Sequence, residues 1–481
     1  MGELVPVGCY EVLPGDSIQQ RSAALLRVSP LLAPVMHPVS VRIHHWFVPN
    51  RLIWDDWEDF ITGGADGEDA SVYPTITANF SAGALGDYLG VPPGVANSEV
   101  CALPFRAYSL IFNEFYRDQD LVTARVIDTT SGPDTTTDVT LAKIAWEKDY
   151  MTAARPWAQK GAEVTLPLGT TAPVVGDGVV PLWTDTTAGQ PRNLGADASG
   201  NAQWVDPTSG NVSTVTGGPR RMQFDLSQAG LEADLSAATA VDVNTVRRAF
   251  AIQRYQEARA LYGSRYTEYL RYLGVRSSDA RLQRPEYLGG GKQTISFSEV
   301  LQAGPNFDAN TGVGTLRGHG IAAMRSRRYR RFFEEHGWVI SLMSVRPRSM
   351  YVNGLHRQWN RRTKEDFWQM ELEKIGQQEV LDKEVYGYSA AVPGATFGYA
   401  DRYSEYRSFP SGVSGEFRST LNFWHLARIF ASEPNLNSDF VQCDPSKRIN
   451  AVQSADVLWC MVNHSIQARR MVSRNAVGRI L

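Results

Sequence analysis

The residues whose types suit catalysis or cofactor binding lack the spacing that such chemistry requires. Gly289-Gly290-Gly291-Lys292 looks like the end of a phosphate-binding loop, but Glu286 and Gln293 stand where that motif needs Gly and Ser or Thr. We therefore expect a Gly-rich turn there. His44 and His45 are adjacent, so on a strand they point to opposite faces and cannot share a metal ion. We expect no enzymatic activity, no cofactor and no metal site.

One basic cluster does suit binding chemistry. Five of the seven residues from 325 to 331 are arginines, and Phe332 and Phe333 follow. These arginines are Arg325, Arg327, Arg328, Arg330 and Arg331. Guanidinium groups pair with phosphates and aromatic rings stack on bases, so the pattern predicts contact with single-stranded DNA. Two alternatives stay open: a solvated face, or pairing with the acidic segment 52–69 of a neighbouring subunit.

The C-terminal tail, residues 468–481, is a second basic segment. It contains four arginines and no acidic residue. A disordered end is one interpretation. The other is an arm that contacts a neighbouring subunit or packaged DNA, and this adds Arg469, Arg470 and Arg474 to the candidate residues.

The overall charge is nearly neutral, but the charges are unevenly distributed. Lys and Arg total 48 against 51 for Asp and Glu, a net charge of -3, which argues against a surface that binds nucleic acid everywhere. Residues 52–105 contain nine acidic residues and no Lys or Arg. The signs are therefore separated along the chain.

Length and composition indicate a globular protein. The chain has 481 residues, of which 43% are hydrophobic, enough for a large core. The four cysteines form no CxxC pair, so we expect structural thiols rather than a zinc ribbon or a disulfide framework. The first residues lack a signal-peptide pattern, and no apolar run approaches 18 residues, so we expect no membrane insertion.

Periodicity predicts strands near both ends and helices between them. Residues 38–49 alternate as a strand, and helices are predicted at 54–61 and 104–118. Residues 121–127 alternate again, and 242–273 form a helical insertion that Gly263 and Ser264 interrupt. Further short strands are predicted at Ile295/Phe297, Val339–Val345, Thr396–Tyr399, Phe440–Val441 and Val457–Ile466.

The last of these strands has apolar residues on both faces, which is typical of a central strand buried on both sides. Strands near both termini favour one β-sandwich closed by this strand.

Residues 161–220 differ from the rest of the chain. They contain ten Gly, six Pro and nine Thr, and their only cations are Arg192 and Arg220. Long segments of this composition in compact domains are usually functional or disordered.

Several uncommon strings resemble the major capsid proteins of microviruses, in particular the gokushovirus-like branch. In the first half they are Glu11-Val12-Leu13-Pro14-Gly15-Asp16, Phe47-Val48-Pro49-Asn50-Arg51-Leu52-Ile53-Trp54, Leu103-Pro104-Phe105-Arg106-Ala107-Tyr108 and Tyr116-Arg117-Asp118-Gln119-Asp120-Leu121. In the second half they include Asp279-Ala280-Arg281-Leu282-Gln283-Arg284-Pro285-Glu286-Tyr287, Val345-Arg346-Pro347-Arg348 and Trp424-His425-Leu426-Ala427. The matches span residues 10–445 in order.

The resemblance implies a mainly β fold, a viral jelly-roll β-barrel of two packed antiparallel sheets with large loop and helical insertions. It also implies self-assembly into a small icosahedral shell that encloses circular single-stranded DNA in a virion assembled in the bacterial cytoplasm, with other virion or scaffold proteins as further partners. The 161–220 segment would form a threefold surface protrusion that contacts a host receptor, with Trp183 and Trp204 as candidate contact residues. A jelly-roll carbohydrate-binding protein or adhesin is the alternative function.

Overall fold

The computed structural model describes most of the chain. The described residues are 1–65, 68–78, 80–94, 98–162, 164, 243–262, 271, 283–304, 312–388 and 394–472, with short strands between residues 174 and 233. They divide into two compact units, residues 1–160 with 256–481 and residues 161–255. No helix among the described residues is long and apolar enough to cross a membrane.

Strands dominate the first unit. Its strands are β1 (Leu4–Val12), β2 (Ser17–Val28), β3 (Val39–Pro49), β4 (Thr75–Ala78), β5 (Ser98–Cys101), β13 (Glu286–Thr294), β14 (Ser296–Leu301), β15 (Leu316–Arg325), β16 (Tyr329–Phe332), β17 (Gly337–Pro347), β18 (Gln377–Leu381), β19 (Thr396–Asp401) and β20 (Leu458–Arg469). The α-helices among the described residues are α1 (Trp57–Thr62), α2 (Leu85–Leu89), α3 (Leu103–Phe115), α4 (Val243–Tyr262), α5 (Asp382–Val385) and α6 (Ser438–Val441).

The second unit contains its own short strands. They are β6 (Val174–Gly176), β7 (Trp183–Asp185), β8 (Pro191–Ala196), β9 (Ala202–Val205), β10 (Val212–Ser213), β11 (Met222–Phe224) and β12 (Leu231–Ala233). Five of them form one antiparallel sheet in the order β10-β9-β8-β7-β11, and β12 pairs with β6.

Two antiparallel sheets form the framework of the first unit. The first, here the β3 sheet, has the order β1-β17-β3-β13. In the second, the β2 sheet, β2 pairs with β15 and β16 along one edge and with β20 along the other, while β14 pairs with β15. The late strand β17 lies between β1 and β3, and the last strand, β20, pairs with β2 in the other sheet, so both sheets join strands from the two ends of the chain, as in a jelly roll. The predicted mainly β, two-sheet fold is confirmed.

The two sheets enclose an apolar core. Side chains of β2 and β15 pack against those of β3 and β17, and each is almost completely buried. They are Ala24, Leu26, Val28, Ala322, Met324, Val39, Val41, Ile43, Met343 and Val345. This contact fixes the register of both sheets, because a one-residue slip would turn these side chains outward.

The opposite face of the β3 sheet is also buried, because α3 and neighbouring loops cover it. Trp46, Val48 and Leu342 belong to the same cluster as Phe105 and Tyr108 of α3. The predicted helical stripe at 104–118 is thus confirmed. The β3 sheet uses both of its faces for burial, whereas the β2 sheet alternates between buried and more exposed positions.

A buried ion pair holds α3 against these loops. The Arg106 Nε donates to Asp134 Oδ2 at 2.8 Å, and both side chains are fully buried. The Arg106 Nη1 and Nη2 donate to the carbonyls of Ile53 and Thr130, both at 3.1 Å. Although burial alone would raise the pKa of Asp134, hydrogen bonds from Thr137 and Arg106 hold that pKa below its usual value. Asp134 is therefore ionised at neutral pH.

A polar cluster lies between the sheets at one end. Gln20 Oε1 accepts from Tyr329 Oη at 2.6 Å, and Ser22 Oγ lies 2.7 Å from His464 Nδ1. Burial, and then the neighbouring His464 and His44, lowers the pKa of His45 to about 4, so this ring is neutral at pH 7. The other ring nitrogen of His464, Nε2, lies 2.7 Å from the carbonyl oxygen of Val7, which links β20 to β1.

Several local predictions are wrong. Helix α1 begins at Trp57 rather than at 54, residues 121–127 form no strand, and Phe440 and Val441 lie in α6. In each case a few alternating or apolar residues were the only signal, and tertiary contacts decided the conformation. The predicted interruption of the 242–273 helix at Gly263 lies outside the described residues.

Strand β20 is an edge strand rather than a central one, which corrects the expectation for 457–466. Among the described residues it pairs only with β2. Trp459 is 53% exposed and Met461 is 71% exposed. The apolar residues on both faces of β20 are therefore not a sign that this strand is buried within the subunit.

Replacing Arg106 tests the anchor of α3. We expect Arg106→Met to lower the free energy of unfolding by about 3–5 kcal/mol, because it leaves the Asp134 carboxylate buried without its partner. Arg51→Met is the matched control. It removes a partly exposed pair with Glu335 and should change this energy by less than about 1 kcal/mol. Denaturant unfolding followed by tryptophan fluorescence measures both, and equal losses would refute the anchoring role.

Candidate nucleic-acid and assembly surfaces

Among the described residues of the first unit, no element packs over the outward face of the β2 sheet. On β2, Ile18, Leu26 and Val28 point into the core, so the alternate positions point outward. Residues that are paired across neighbouring strands lie on the same face of the sheet. The pairing with β2 therefore shows which residues of β15, β16 and β20 point outward. We call this surface the basic sheet face.

Arginine is the only charged residue type at the outward positions of these strands. Six arginines occupy the face: Arg21, Arg27, Arg317, Arg325, Arg330 and Arg469. Among the residues that the structure describes, none of the six makes an ion pair. Their positive potential is therefore not neutralised by any described carboxylate, which suits a polyanionic ligand.

Exposed apolar and aromatic side chains lie between these arginines. Phe332 is 51% exposed and stands opposite Ser17 on β2. Trp459 and Met461 stand opposite Arg27 and Leu25. The combination of cations and uncovered rings on a sheet is the arrangement that holds phosphates and stacks bases of single strands.

The predicted arginine cluster is divided by the fold. Arg325 and Arg330 lie on the basic sheet face, and Arg327 is exposed in the connection between β15 and β16. When the side-chain amide oxygen of Gln19 faces Arg328, it accepts hydrogen bonds from Arg328 Nε at 3.1 Å and from Arg328 Nη1 at 3.0 Å. Because Gln19 points outward on β2, Arg328 lies beside the same face. Arg331 points the other way and pairs with Glu286 at 3.1 Å.

The C-terminal candidates are also divided. Arg469 ends β20 on the basic sheet face, opposite Ser17. The neighbouring Arg470 instead pairs with Asp16 at 3.0 Å. Arg474 lies outside the described residues.

The Gly-rich turn predicted at 289–291 is instead part of β13. A Cβ on Gly291 would lie 3.0 Å from the carbonyl oxygen of Arg325 and from the Cα of Ser326. A Cβ on Gly290 would lie 2.2 Å from the carbonyl oxygen of Ile43. The glycines are thus needed for close approach of the chain, and they let the arginine-rich connection cross β13.

A second surface consists of exposed aromatic rings between residues 359 and 409. Trp359 is 65% exposed and Phe409 is 83% exposed, and three other aromatic side chains are each about half exposed. Those three are Phe367, Trp368 and Tyr406. We call this set the aromatic surface.

Buried charges hold the aromatic surface in place. The Arg361 guanidinium lies 4.3 Å from the centre of the Tyr406 ring, and its Nη2 lies 3.5 Å from Glu405 Oε1. Arg357 pairs with Glu384 at 3.0 Å beneath the same region. Two of the rings, Phe367 and Tyr406, therefore pack on a guanidinium of the same chain, which reduces the entropy that these rings lose on association.

The acidic residues of the segment after β3 remain on the surface. Asp55, Glu58 and Asp59 are exposed around α1, and none makes an ion pair among the described residues. The alternative in which this segment meets arginines of a neighbouring subunit stays a prediction.

The protrusion candidates lie in the second unit. Trp183 begins β7 opposite Phe224, and Trp204 lies on β9 opposite Ser213. Their role in host contact and the assignment of 161–220 to a protrusion stay predictions.

An interleaved two-sheet sandwich, with one sheet buried on both faces and the other presenting a basic face, defines a jelly-roll shell protein. Comparison with known proteins agrees. A family model described as capsid protein (F protein) matches residues 1–476. The chain belongs to this family, whose role is structural rather than enzymatic.

The relatives are similar over nearly their whole length. Capsid protein VP1 of Bdellovibrio phage phiMH2K is 37% identical over 475 residues, covering 94% of this chain and 87% of that protein. VP1 of Chlamydia phage 1 is 33% identical, covering 96% and 90%. VP1 of Spiroplasma virus 4 is 30% identical, covering 92% and 85%. The chain is therefore a viral capsid protein that self-assembles, and the resemblance to gokushovirus-like microviruses is confirmed.

Proposed function

We propose that the chain forms a small icosahedral shell around circular single-stranded DNA, with the basic sheet face turned towards the genome. Assembly would take place in the bacterial cytoplasm, with other virion or scaffold proteins as further partners. The observation that carries the proposal is a sheet face with six arginines and no carboxylate at its outward positions. Such a face attracts phosphates and repels other copies of itself.

A charge-neutralising variant tests the contact with DNA. The variant replaces Arg21, Arg325, Arg330 and Arg469 by Gln. For single strands, each lost phosphate contact reduces the magnitude of the slope of log affinity against log salt by about 0.7. The four substitutions should therefore reduce the magnitude of this slope by up to about 3. Fluorescence anisotropy of a labelled oligonucleotide with expressed subunits at graded salt measures this slope.

The control variant removes the same number of cations elsewhere. It replaces Arg362, Lys364, Arg407 and Arg418 by Gln, all of which are exposed and lie outside the basic sheet face. We expect its salt slope to stay close to that of the unmodified chain. Equal slopes for the two variants would mean that total charge, rather than this face, governs DNA binding.

The aromatic surface supports self-assembly in the same proposal. Exposed Trp and Tyr side chains with charged groups at their margin are typical of subunit contacts, where a few rings supply most of the binding energy. The rings from 359 to 409 have this composition, and two of them, Phe367 and Tyr406, pack on the Arg361 guanidinium. We assign them to a contact with another copy of the chain.

Polar substitutions test this contact. We expect Trp368→Ser with Phe409→Ser to reduce the yield of closed particles by at least about tenfold, since two anchoring rings are lost from every subunit. Phe332→Ser is the control, because this ring is as exposed as that of Trp368 but lies on the basic sheet face. Negative-stain microscopy and size-exclusion chromatography measure the yield. Normal yield from the double variant would exclude the aromatic surface from the contact.

The 161–220 segment completes the proposal as an outer protrusion that binds a host-surface receptor. Support comes from its compact second unit and from its scarcity of cations, which suits a polar, uncharged ligand such as a surface glycan. Trp183 and Trp204 would supply flat rings for such a ligand.

Deletion tests the protrusion. We expect particles that lack 170–218 to assemble in normal yield but to lose attachment to host cells, because the shell contacts are retained and the receptor contact is not. Attachment is measured by adsorption of particles to cells. Loss of assembly would instead make the segment part of a subunit contact.

A further inference from the structure

A pocket lies at one end of the basic sheet face, where the β2 sheet meets the chain that follows β2. It has a volume of about 710 Å³, within the range of small-molecule sites. Arg27, Arg317, His319 and Trp459 contribute its polar and aromatic lining, and Val300 and Ile321 contribute apolar side chains. No sequence motif marks this pocket, because these residues come from four separate strands.

Strand register places three of these groups in one row. Ile321, Arg27 and Trp459 are direct cross-strand partners, so they form one row across β15, β2 and β20. His319 is held by Ser298, whose Oγ lies 3.1 Å from its Nδ1. Neighbouring side chains in such a row stand roughly 5 Å apart, close enough to contact one ligand.

One glycine, Gly318, makes room for the wall of the pocket. The Leu31 N–H donates to the carbonyl of Gly318 at 3.0 Å, which brings the chain after β2 against β15. A Cβ on Gly318 would lie 2.4 Å from the carbonyl oxygen of Ala33. The pocket thus depends on close backbone packing rather than on a mobile loop.

The charge of the lining favours an anion that carries a flat ring. None of the residues that line the pocket is acidic, and two of them are arginines. Trp459 is 53% exposed, and among the described residues no ring packs on it. An arginine pair beside an open indole matches a phosphate next to a nucleobase.

We propose that this pocket binds one nucleotide of single-stranded DNA, with the base stacked on Trp459 and the phosphate paired with Arg27 and Arg317. The proposal rests on the proposed function, in which the basic sheet face meets the genome. It adds a defined binding position to a face that otherwise attracts DNA by charge alone. Repeated in every subunit, such positions would hold the strand at regular points inside the shell.

Ultraviolet cross-linking of DNA-filled particles tests the pocket. After irradiation, nuclease digestion and peptide mass spectrometry, we expect a nucleotide adduct on the peptide that contains Trp459. In Trp459→Leu particles this adduct should disappear, while an adduct on the peptide that contains Phe332 remains. Trp459→Phe should retain part of the adduct, because a smaller ring still stacks.

The outcomes separate the two proposals. An adduct at Phe332 without one at Trp459 overturns the pocket and leaves the proposed function intact. Adducts at neither position overturn both. A cross-link from Trp459 to a peptide of a second copy overturns the pocket and makes it a subunit contact.

A binding measurement on expressed subunits covers the case in which Trp459→Leu fails to assemble. Arg27→Gln with Arg317→Gln should weaken binding of a ten-residue oligothymidylate about tenfold, by loss of two phosphate contacts. Arg362→Gln with Arg407→Gln removes the same charge from outside the pocket and should change the affinity less than twofold. Equal effects of the two variants would overturn the proposal.

Discussion

The packing of the β2 sheet on the β3 sheet is the contact on which the rest of the structure depends. The β3 sheet is buried on both faces, against Leu26 and its neighbours on one side and against Phe105 of α3 on the other. The β2 sheet is buried on one face only. Because the insertions cover one side of the sandwich, the opposite side is left as a broad surface that the described residues of the first unit do not cover. The functional asymmetry of the subunit follows from this arrangement.

Charge follows the same asymmetry. The net charge of -3 suggests little affinity for DNA, yet arginines of the β2 sheet collect on one face. Acidic residues such as Glu58 and Asp59 are exposed elsewhere, around α1. A shell built from such subunits can be nearly neutral overall, which limits repulsion between copies, while one surface remains strongly positive. Separation of charges in space therefore matters more here than their sum.

Elements with a regular apolar period could be predicted from the sequence. Strands whose inward-facing positions hold polar or small residues could not. Strand β3 and helix α3 have clear periods and were found. Strand β2 was missed because Gln20 and Ser22 point inward, and β15 was missed because Gly318 and Gly320 do. Uncommon sequence strings identified the family. No local motif predicted the basic sheet face, because strand pairing brings its residues together from positions as far apart as 17 and 469.

A map of the assembled particle at side-chain resolution tests most directly whether the β2 sheet lines the shell. If it does, Arg21, Arg330 and Trp459 lie on the inner surface, with nucleic-acid density against them. The same arginines on the outer surface, or covered by a neighbouring subunit, would contradict the genome-facing assignment.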